Sequence, residues 1–247
     1  MFMVENNDNI VQNPIRQSII QKLMHHPGKT FNELWNKDIV ESNKFAYHLK
    51  QLENEDIIGK KDNSYFLSAA GKEIAVFLEG KDGSKRKRPL CCLLIVLFDG
   101  NGNVLVQHRL KEPFYDYYGF PGGKLDFGEE IISAAKRELK EETGLSADMQ
   151  IASIYNFLTY NNEKLSYHHT QFIIKARNPT GVLVSQNREG TFSWIEIEDF
   201  DTYKSFPDDP HILRTTLDGK FRIYEIDRFQ KDDEFTGMKI KSIYAPE

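Results

Sequence analysis

Residues 123–145 of this 247-residue chain read GKLDFGEEIISAAKRELKEETGL and predict a glycine-containing loop followed by a helix. Helical spacing runs from Glu130 to Glu142, and Gly144 stands where a glycine commonly ends a helix. One side of that helix is apolar and consists of Ile132, Ala135 and Leu139. Lys136 and Lys140 fall on the opposite side. We therefore expect an amphipathic helix with its apolar side in the core and its lysines in solvent.

Three glutamates form another face of this helix, next to the apolar side: Glu138, Glu141 and Glu142. Like charges at i, i+3 and i+4 repel each other, and the helix dipole disfavours anions in the last turn. Such a helix needs a compensating cation, and hard carboxylate oxygens suit Mg²⁺ or Mn²⁺. Arg137 lies beside the glutamates, and Glu129 is its expected ion-pair partner. We interpret that pair as a structural brace between loop and helix.

The complete pattern is G-x5-E-x7-R-E-(apolar)-x-E-E-x-G-(apolar), and it resembles the Nudix box at every defining position. The resemblance to the Nudix hydrolase superfamily extends over residues 88–217, and we place the domain at 90–219. It implies an α/β fold, an α/β/α sandwich around a mixed sheet. It also implies Mg²⁺-dependent hydrolysis of a nucleoside diphosphate linked to another moiety. Carried onto this chain, it makes the three glutamates catalytic metal ligands, joined by the backbone carbonyl of Gly122.

Strands are predicted on both sides of the box, with Leu90–Phe98 and Val104–Gln107 joined by a glycine-rich turn. Many Nudix enzymes carry an additional glutamate before their last strand, and Glu189, five residues before Trp194, matches it. Glu189 is therefore either an extra metal ligand or base, or a surface glutamate. His168 and His169 begin a strand that would run into the site, where one of them would contact a phosphate or a base, and we assign substrate binding to His168. The alternative is two ordinary edge-strand histidines.

The segment Phe206-Pro207-Asp208-Asp209 follows the last strand of the predicted sheet and opens a helix. It is similar to the Trp-Pro-Asp-Asp stretch of animal Nudix enzymes that hydrolyse oxidised purine nucleoside triphosphates. In those enzymes the aromatic ring stacks on the base and the aspartates contact its edge. The resemblance implies that Phe206, Asp208 and Asp209 bind the base of a nucleotide. The alternative is a simple helix start, because acidic residues are favoured in any first turn.

Residues 1–80 predict a small separate domain of three helices, a hairpin and a closing helix. This order, with the segments FAYHLKQL at 45–52 and YFLSAAG at 65–71, resembles a winged helix-turn-helix domain. In that family the third helix enters the major groove of DNA and the hairpin contacts the backbone. The corresponding outward positions here are Lys44, Tyr47, His48, Lys50, Lys60 and Lys61.

The charge balance of this domain argues against strong DNA binding. Residues 1–80 hold nine lysines and arginines against eleven acidic residues, whereas phosphate neutralisation supplies most non-specific affinity for DNA. The alternative is a protein-interaction or dimerisation module of the same fold. Residues 81–89, KDGSKRKRP, predict a basic linker, or else a patch that contacts phosphate or directs targeting.

The overall composition is that of a soluble globular protein, with 40% hydrophobic and 28% charged residues and a net charge of −5. The longest apolar run is too short to span a bilayer, and we see no signal-peptide core, so we expect no membrane partner and a cytoplasmic location. Cys91 and Cys92 are interpreted as buried thiols on opposite faces of a strand. Residues 220–247 predict a C-terminal hairpin extension, which would pair in a homodimer or pack on the winged domain.

Two functions are consistent with these features. The first is a Mg²⁺-dependent Nudix pyrophosphohydrolase that cleaves a nucleoside triphosphate, including an oxidised purine, or another nucleoside diphosphate derivative. The alternative is a nucleotide-sensing transcriptional regulator that binds duplex DNA through its N-terminal domain. Because the box is complete, catalysis is expected in either case.

Overall fold

The computed structural model describes residues 13–77, 88–112, 114–232 and 234–246. The chain forms two compact units, Met1–Lys87 and Arg88–Glu247. Most of the predicted basic linker lies outside the described residues. Across the described part of the chain, no helix has the length and apolarity needed to cross a membrane.

Among its described residues, the N-terminal unit packs four helices and a three-stranded antiparallel sheet, in the strand order β1-β3-β2, around an apolar core. Its elements are α1 (Pro14–His25), β1 (Lys29–Thr30), α2 (Phe31–Leu34), α3 (Ser42–Asn54), β2 (Ile58–Lys61), β3 (Ser64–Leu67) and α4 (Ala69–Phe77). The core is formed by side chains such as Ile20 of α1 and Leu52 of α3, both fully buried. Helix α3 begins at Ser42, and Glu41 is its N-cap residue.

The C-terminal unit contains ten strands and two α-helices among its described residues. Its first half comprises β4 (Leu90–Leu97), β5 (Asn103–Arg109), β6 (Tyr118–Gly119), β7 (Gly122–Lys124) and α5 (Ile131–Thr143). Its second half comprises β8 (Leu145–Asn161), β9 (Lys164–Gly181), β10 (Gln186–Asn187), β11 (Gly190–Glu196), a 3₁₀ helix (Ile197–Thr202), α6 (Asp209–Asp218), β12 (Arg222–Lys231) and β13 (Glu234–Tyr244).

A six-stranded mixed sheet, in the order β13-β12-β8-β9-β4-β7, forms the centre of this unit. Helix α5 contributes Leu139 to the core on one face, and α6 contributes Ile212 to the core on the other. A second sheet, β10-β11-β5-β6, borders both cores, because Leu105 packs on the α5 side and Val106 on the α6 side. The predicted α/β/α sandwich with a mixed sheet is therefore confirmed.

Strands β4 and β5 follow one another in sequence but lie in different sheets. The turn between them is held by Asp99, whose carboxylate accepts from the backbone N–H groups of Asn101 and Asn103 at 2.7 and 3.1 Å. The two strands are otherwise joined here by the isolated bridge between Phe98 and Val104 and by the Asp99 N–H, which donates to the Asn103 carbonyl at 3.2 Å. The glycine-rich turn thus redirects the chain from the large sheet into the small one instead of closing a hairpin.

The C-terminal hairpin is an integral part of the large sheet. Strand β12 pairs in parallel with β8 over Arg222–Gln230, and β13 pairs antiparallel with β12. The hairpin therefore forms two strands of the large sheet of its own unit. Likewise, Cys91 and Cys92 lie in β4 as predicted but are not buried, because Cys91 is exposed and Cys92 half-buried at the start of the strand, before the core begins.

Candidate active site

Helix α5 places the box glutamates at the edge of the large sheet. Its apolar side, including Ala134, Ala135 and Leu139, is fully buried against the sheet. The helix ends at Gly144, which has a left-handed φ of 72° and whose N–H donates to the carbonyl of Lys140 at 3.0 Å. The predicted cap is therefore present, and packing fixes the rotation of the helix about its axis.

This rotation turns Glu138 and Glu142 toward β7. The Gly122 N–H donates to the Glu142 carboxylate at 3.3 Å. A Cβ atom at Gly122 would lie 2.1 Å from the backbone oxygen of Leu93, so only glycine fits at that position, and a Cβ atom at Gly123 would lie 2.2 Å from the Glu138 carboxylate. The two glycines of the box loop therefore let the backbone approach the acidic face closely.

Glu142 is buried, with 8% of its surface exposed. Burial raises the pKa of Glu142 to about 8, and the Glu138 and Glu189 carboxylates add to the rise. Arg109, at the end of β5, lies within electrostatic range and opposes it. An acidic side chain in this environment is costly to ionise unless a cation is supplied. The arrangement thus favours binding of a positively charged partner.

The predicted brace forms. Arg137 donates to both carboxylate oxygens of Glu129 at 2.8 Å, which lowers the pKa of Glu129 and raises that of the guanidinium. Arg137 also reaches Glu138 at 2.9 Å and Glu141 at 3.4 Å. Arg137 therefore holds the loop on the helix and, in addition, orients two of the predicted ligands.

Glu189 is brought to the C-terminal end of α5 by a turn that the sequence analysis did not single out. The side-chain oxygen of Asn187 accepts from the Glu189 N–H at 2.7 Å, and its amide donates to the Glu142 carbonyl at 3.1 Å. Lys111 forms an ion pair with the Glu189 carboxylate at 2.9 Å. Asn187, Lys111 and Arg109 were missed, and the Asn-x-Glu-Gly turn at 187–190 was the available signal for Asn187.

The donor set fits a hard divalent cation. Across the described ranges, no three acidic, histidine or cysteine side chains already meet at ligating distance. Glu138 and Glu142 nevertheless lie within electrostatic range of each other beside the close-approaching backbone of Gly122 and Gly123, whereas the Glu141 side chain is 62% exposed. Mg²⁺ is commonly held by one or two carboxylates together with waters and substrate phosphates, which matches this arrangement.

The predicted base-binding residues lie at the start of α6. Asp208 and Asp209 are completely buried, and Arg228 of β12 donates to the Asp208 carboxylate at 2.5 Å. Burial, together with the charge of Asp208, raises the pKa of Asp209 well above its usual value. Phe206 lies in an aromatic cluster with Phe114, Tyr117 and Phe235.

His168 points to Asn156, whose side-chain oxygen lies 2.9 Å from its Nε2 atom. Strand β9 lies between β8 and β4, so His168 is not on an edge strand, and its contact with Asn156 is made to the neighbouring strand β8. The next residue, His169, lies nearer the site, because it is within electrostatic range of Arg228 and Lys124. Burial and these cations lower the pKa of His169 to about 4.

In the N-terminal unit, five of the six candidate DNA contacts are exposed: Lys44, Tyr47, Lys50, Lys60 and Lys61. The prediction that His48 faces outward is wrong. His48 is 6% exposed, and its Nδ1 accepts from Arg16 at 3.2 Å. The buried side of α3 includes the i+3 position from Phe45 as well as i+4 and i+7, and His48 occupies it.

Comparison with known proteins places this unit in a family. Residues 90–216 match the family model of the NUDIX domain, just over half of the chain, and the chain therefore belongs to the Nudix family. Residues 7–78 match a domain of unknown function, DUF7347. The fold is similar to that of the MutT protein from Bacillus halodurans, with a TM-score of 0.53 and 20% identity over 62% of this chain and 97% of that one.

Two relatives illustrate the sequence similarity to known Nudix proteins. An uncharacterised Nudix hydrolase, YvcI of Bacillus subtilis, is 29% identical over 112 residues, which is 45% of this chain and 71% of that protein. An RNA pyrophosphohydrolase of Mesorhizobium japonicum is 36% identical over 76 residues, 28% of this chain and 44% of the relative. The prediction of a Nudix-type hydrolase is confirmed at the level of the family, whose members generally use divalent metal ions.

Proposed function

We propose that the C-terminal unit hydrolyses a pyrophosphate bond in a nucleotide, with Mg²⁺ or Mn²⁺ as cofactor. The observation that carries this proposal is the buried Glu142, which faces Glu138 and Glu189 next to the glycines of the box loop. The substrate is a nucleoside triphosphate, including one with an oxidised purine, or another nucleoside diphosphate derivative.

In this proposal Glu138, Glu141 and Glu142 hold the metal together with the backbone carbonyl of Gly122. When bound, the metal would polarise phosphoryl oxygens and activate a water molecule. Glu189 is held at the end of the same helix by Asn187, where it serves as an extra ligand or base.

The substrate would lie between this carboxylate cluster and the start of α6. Arg109 supplies positive charge beside Glu142 and Glu189, where the phosphates would bind. Phe206, Asp208 and Asp209 would contact the base. His169 takes the position near the phosphate path that was predicted for His168, since His169 lies within electrostatic range of Lys124.

The test is hydrolysis of a nucleotide panel by the full chain with Mg²⁺ or Mn²⁺. The panel holds normal and oxidised triphosphates, ADP-ribose, dinucleoside polyphosphates, nicotinamide dinucleotides and a 5′-triphosphorylated RNA, the last because relatives are RNA pyrophosphohydrolases. We expect one class to turn over rapidly in wild type and not in Glu142→Gln. Absence of metal-dependent turnover on the whole panel, under conditions where a Nudix enzyme is active, would contradict the proposal.

A second candidate function concerns the N-terminal unit. We propose it as a winged helix module that contacts duplex DNA, which would make the chain a nucleotide-sensing regulator. The supporting observation is that Lys44, Tyr47 and Lys50 are all exposed on α3, and that Lys60 and Lys61 are exposed on the hairpin. Selection of genomic fragments by the full chain, with Lys44→Glu/Lys50→Glu as the control, tests it. Equal recovery of fragments by both proteins would instead favour a dimerisation or protein-interaction role.

A further inference from the structure

The C-terminal hairpin contacts the part of the chain that leads from β5 to β6. The hairpin consists of β12 and β13, and both strands lie beyond residue 216, where the matched NUDIX region ends. At the start of β13, the Glu234 carboxylate accepts from the Tyr117 hydroxyl at 2.6 Å, and the Phe235 N–H donates to the same hydroxyl at 3.3 Å. The hairpin therefore engages this hydroxyl both as a donor and as an acceptor.

Further contacts fix the Tyr117 side chain. Tyr117 is 4% exposed, and the centre of its ring lies 5.7 Å from that of Phe235. Lys204 donates to the second Glu234 oxygen at 3.2 Å, and its ammonium group lies 4.5 Å from the centre of the Tyr117 ring. A hydrogen bond from a hydroxyl to a carboxylate is charge-assisted and belongs to the stronger kind. Tyr117 is therefore firmly attached to the hairpin.

Backbone pairing connects Tyr117 to Arg109 at the end of β5. The Arg109 N–H donates to the Tyr117 carbonyl at 2.8 Å, and the Asp116 N–H donates to the Arg109 carbonyl at 2.9 Å. Burial lowers the pKa of Arg109, and the Glu189 and Glu142 carboxylates oppose this effect, so its side chain lies near the carboxylate cluster. The position of this guanidinium therefore depends on a backbone segment that the hairpin holds through Tyr117.

The connection between β5 and β6 also contains an unfavourable backbone conformation. Phe114 has a left-handed φ of 70°, which is rare for a bulky aromatic residue. Such a conformation persists only where surrounding contacts hold it. The Phe114 ring lies 5.4 Å from the ring of Phe235, so the hairpin supplies one of these contacts. We conclude that the connection needs contacts from other elements to keep its shape.

We propose that Tyr117 and Glu234 are positioning residues, through which the C-terminal hairpin holds Arg109 where the phosphates bind. This inference rests on the proposed nucleotide hydrolysis, because phosphate binding by Arg109 belongs to that proposal. Without the hydrogen bond, part of the binding free energy is used to order this backbone. The proposed metal ligands Glu138 and Glu142 lie on α5, a separate element. Loss of the hydrogen bond should therefore weaken phosphate binding and leave the chemical step nearly unchanged.

The experiment uses the full chain with Mg²⁺. Binding of inorganic pyrophosphate is measured by calorimetry, and KM and kcat are measured on the best nucleotide of the panel. Tyr117→Phe removes the hydroxyl and keeps the ring. We expect it to weaken pyrophosphate binding and to raise KM by about fivefold, the effect of one hydrogen bond, while kcat changes by less than about twofold.

Glu234 supplies the conservative variant. Glu234→Ala should have the same effect as Tyr117→Phe. Glu234→Gln keeps an oxygen that accepts from Tyr117 and loses only an exposed ion pair with Lys204, so it should stay close to wild type. Glu225→Ala is the matched control, because Glu225 also lies on the hairpin but accepts from Asn156 of β8 at 2.8 Å. This control should leave pyrophosphate binding and KM unchanged.

The outcomes separate this inference from the proposed activity. Wild-type pyrophosphate binding and KM in Tyr117→Phe and Glu234→Ala would overturn the inference and leave the activity intact. The inference is also wrong if kcat falls as much as affinity, or if Glu234→Gln loses as much as Glu234→Ala, since general loosening of the fold would cause either result. The expected binding losses without hydrolysis of any nucleotide would support the inference and contradict only the activity. A wild type that neither binds pyrophosphate nor hydrolyses a nucleotide would contradict both.

Discussion

The Nudix unit contains two buried acidic clusters, and they differ in how their charge is compensated. Asp208 is paired with Arg228, a cation that the chain itself supplies. Glu142 accepts a long 3.3 Å hydrogen bond from a backbone N–H, and its pKa is raised to about 8 although Arg109 is near. The charge of Asp208 is therefore balanced inside the fold. The ionisation of Glu142 is still penalised, which suits this side chain to bind a cation from solution.

The largest effect is expected when the α5 carboxylates that are proposed to bind the metal are altered. Glu142→Gln removes a proposed ligand while keeping the size of the side chain, so kcat on the best substrate should fall by about 10²- to 10³-fold. Mg²⁺ should also stabilise wild type in a thermal unfolding scan, and should stabilise this variant much less.

Lys136→Gln is the control for this substitution, because Lys136 is exposed on the opposite side of the same helix. It should leave both kcat and the Mg²⁺-dependent stabilisation unchanged. Full activity of Glu142→Gln would show that the metal is held elsewhere.

In the second cluster, substitution of the two adjacent aspartates should change the free energy of unfolding by different amounts. Asp208→Asn leaves the buried Arg228 without its ion-pair partner and should lower the free energy of unfolding by about 3 kcal/mol. Burial and the charge of Asp208 raise the pKa of Asp209 well above its usual value, which favours the neutral carboxyl group, and Asp209→Asn should change stability by less than about 1 kcal/mol.

Urea unfolding measures this difference. The chain has two tryptophans, Trp35 in one unit and Trp194 in the other, so a Trp35→Phe background leaves fluorescence from the Nudix unit alone. Equal losses for the two asparagine variants would mean that the ion pair with Arg228 does not distinguish the aspartates.

A smaller effect is expected at Glu189. Its substitution distinguishes an extra metal ligand or base from a surface glutamate. As an extra ligand or base it should matter for catalysis, and Glu189→Gln should lower kcat by about tenfold. Glu196→Gln, an exposed glutamate at the end of β11, is the control and should have no effect. If kcat is unchanged in Glu189→Gln, Glu189 is a surface residue whose carboxylate only forms the ion pair with Lys111.

The two clusters also show what sequence can predict. The α5 cluster was predictable because its members lie within one helix, where spacing alone places Glu138 and Glu142 on one face. Arg228 was not, since its contact with Asp208 joins residues 20 apart through the parallel pairing of β12 with β8. His48 shows the same limit at short range. Helical spacing predicted that His48 faces outward, but it packs against Arg16 and is buried.

The smallest effect concerns pH, and it is expected at His169, which lies within electrostatic range of Arg228 in the second cluster and of Lys124 in the box loop. Burial, Arg228, His168 and Lys124 all lower the pKa of His169, to about 4. The folded unit therefore disfavours the protonated ring, whereas the unfolded chain binds a proton near pH 6.5. The resulting loss of stability is absent above pH 6.5, grows as the pH falls toward 4 and is complete below it.

His169→Gln removes this titration. In the Trp35→Phe background, its free energy of unfolding should fall less than that of the parent between pH 6.5 and 4, by about 1 kcal/mol once partial solvent screening is allowed for. Arg228→Met removes a positive charge near His169. It should reduce the same pH dependence in part, because the charge of Arg228 is the largest contribution to this lowered pKa after burial. If the free energy of unfolding depends on pH in the same way for His169→Gln and its parent, the pKa of His169 is not lowered by burial and the neighbouring cations.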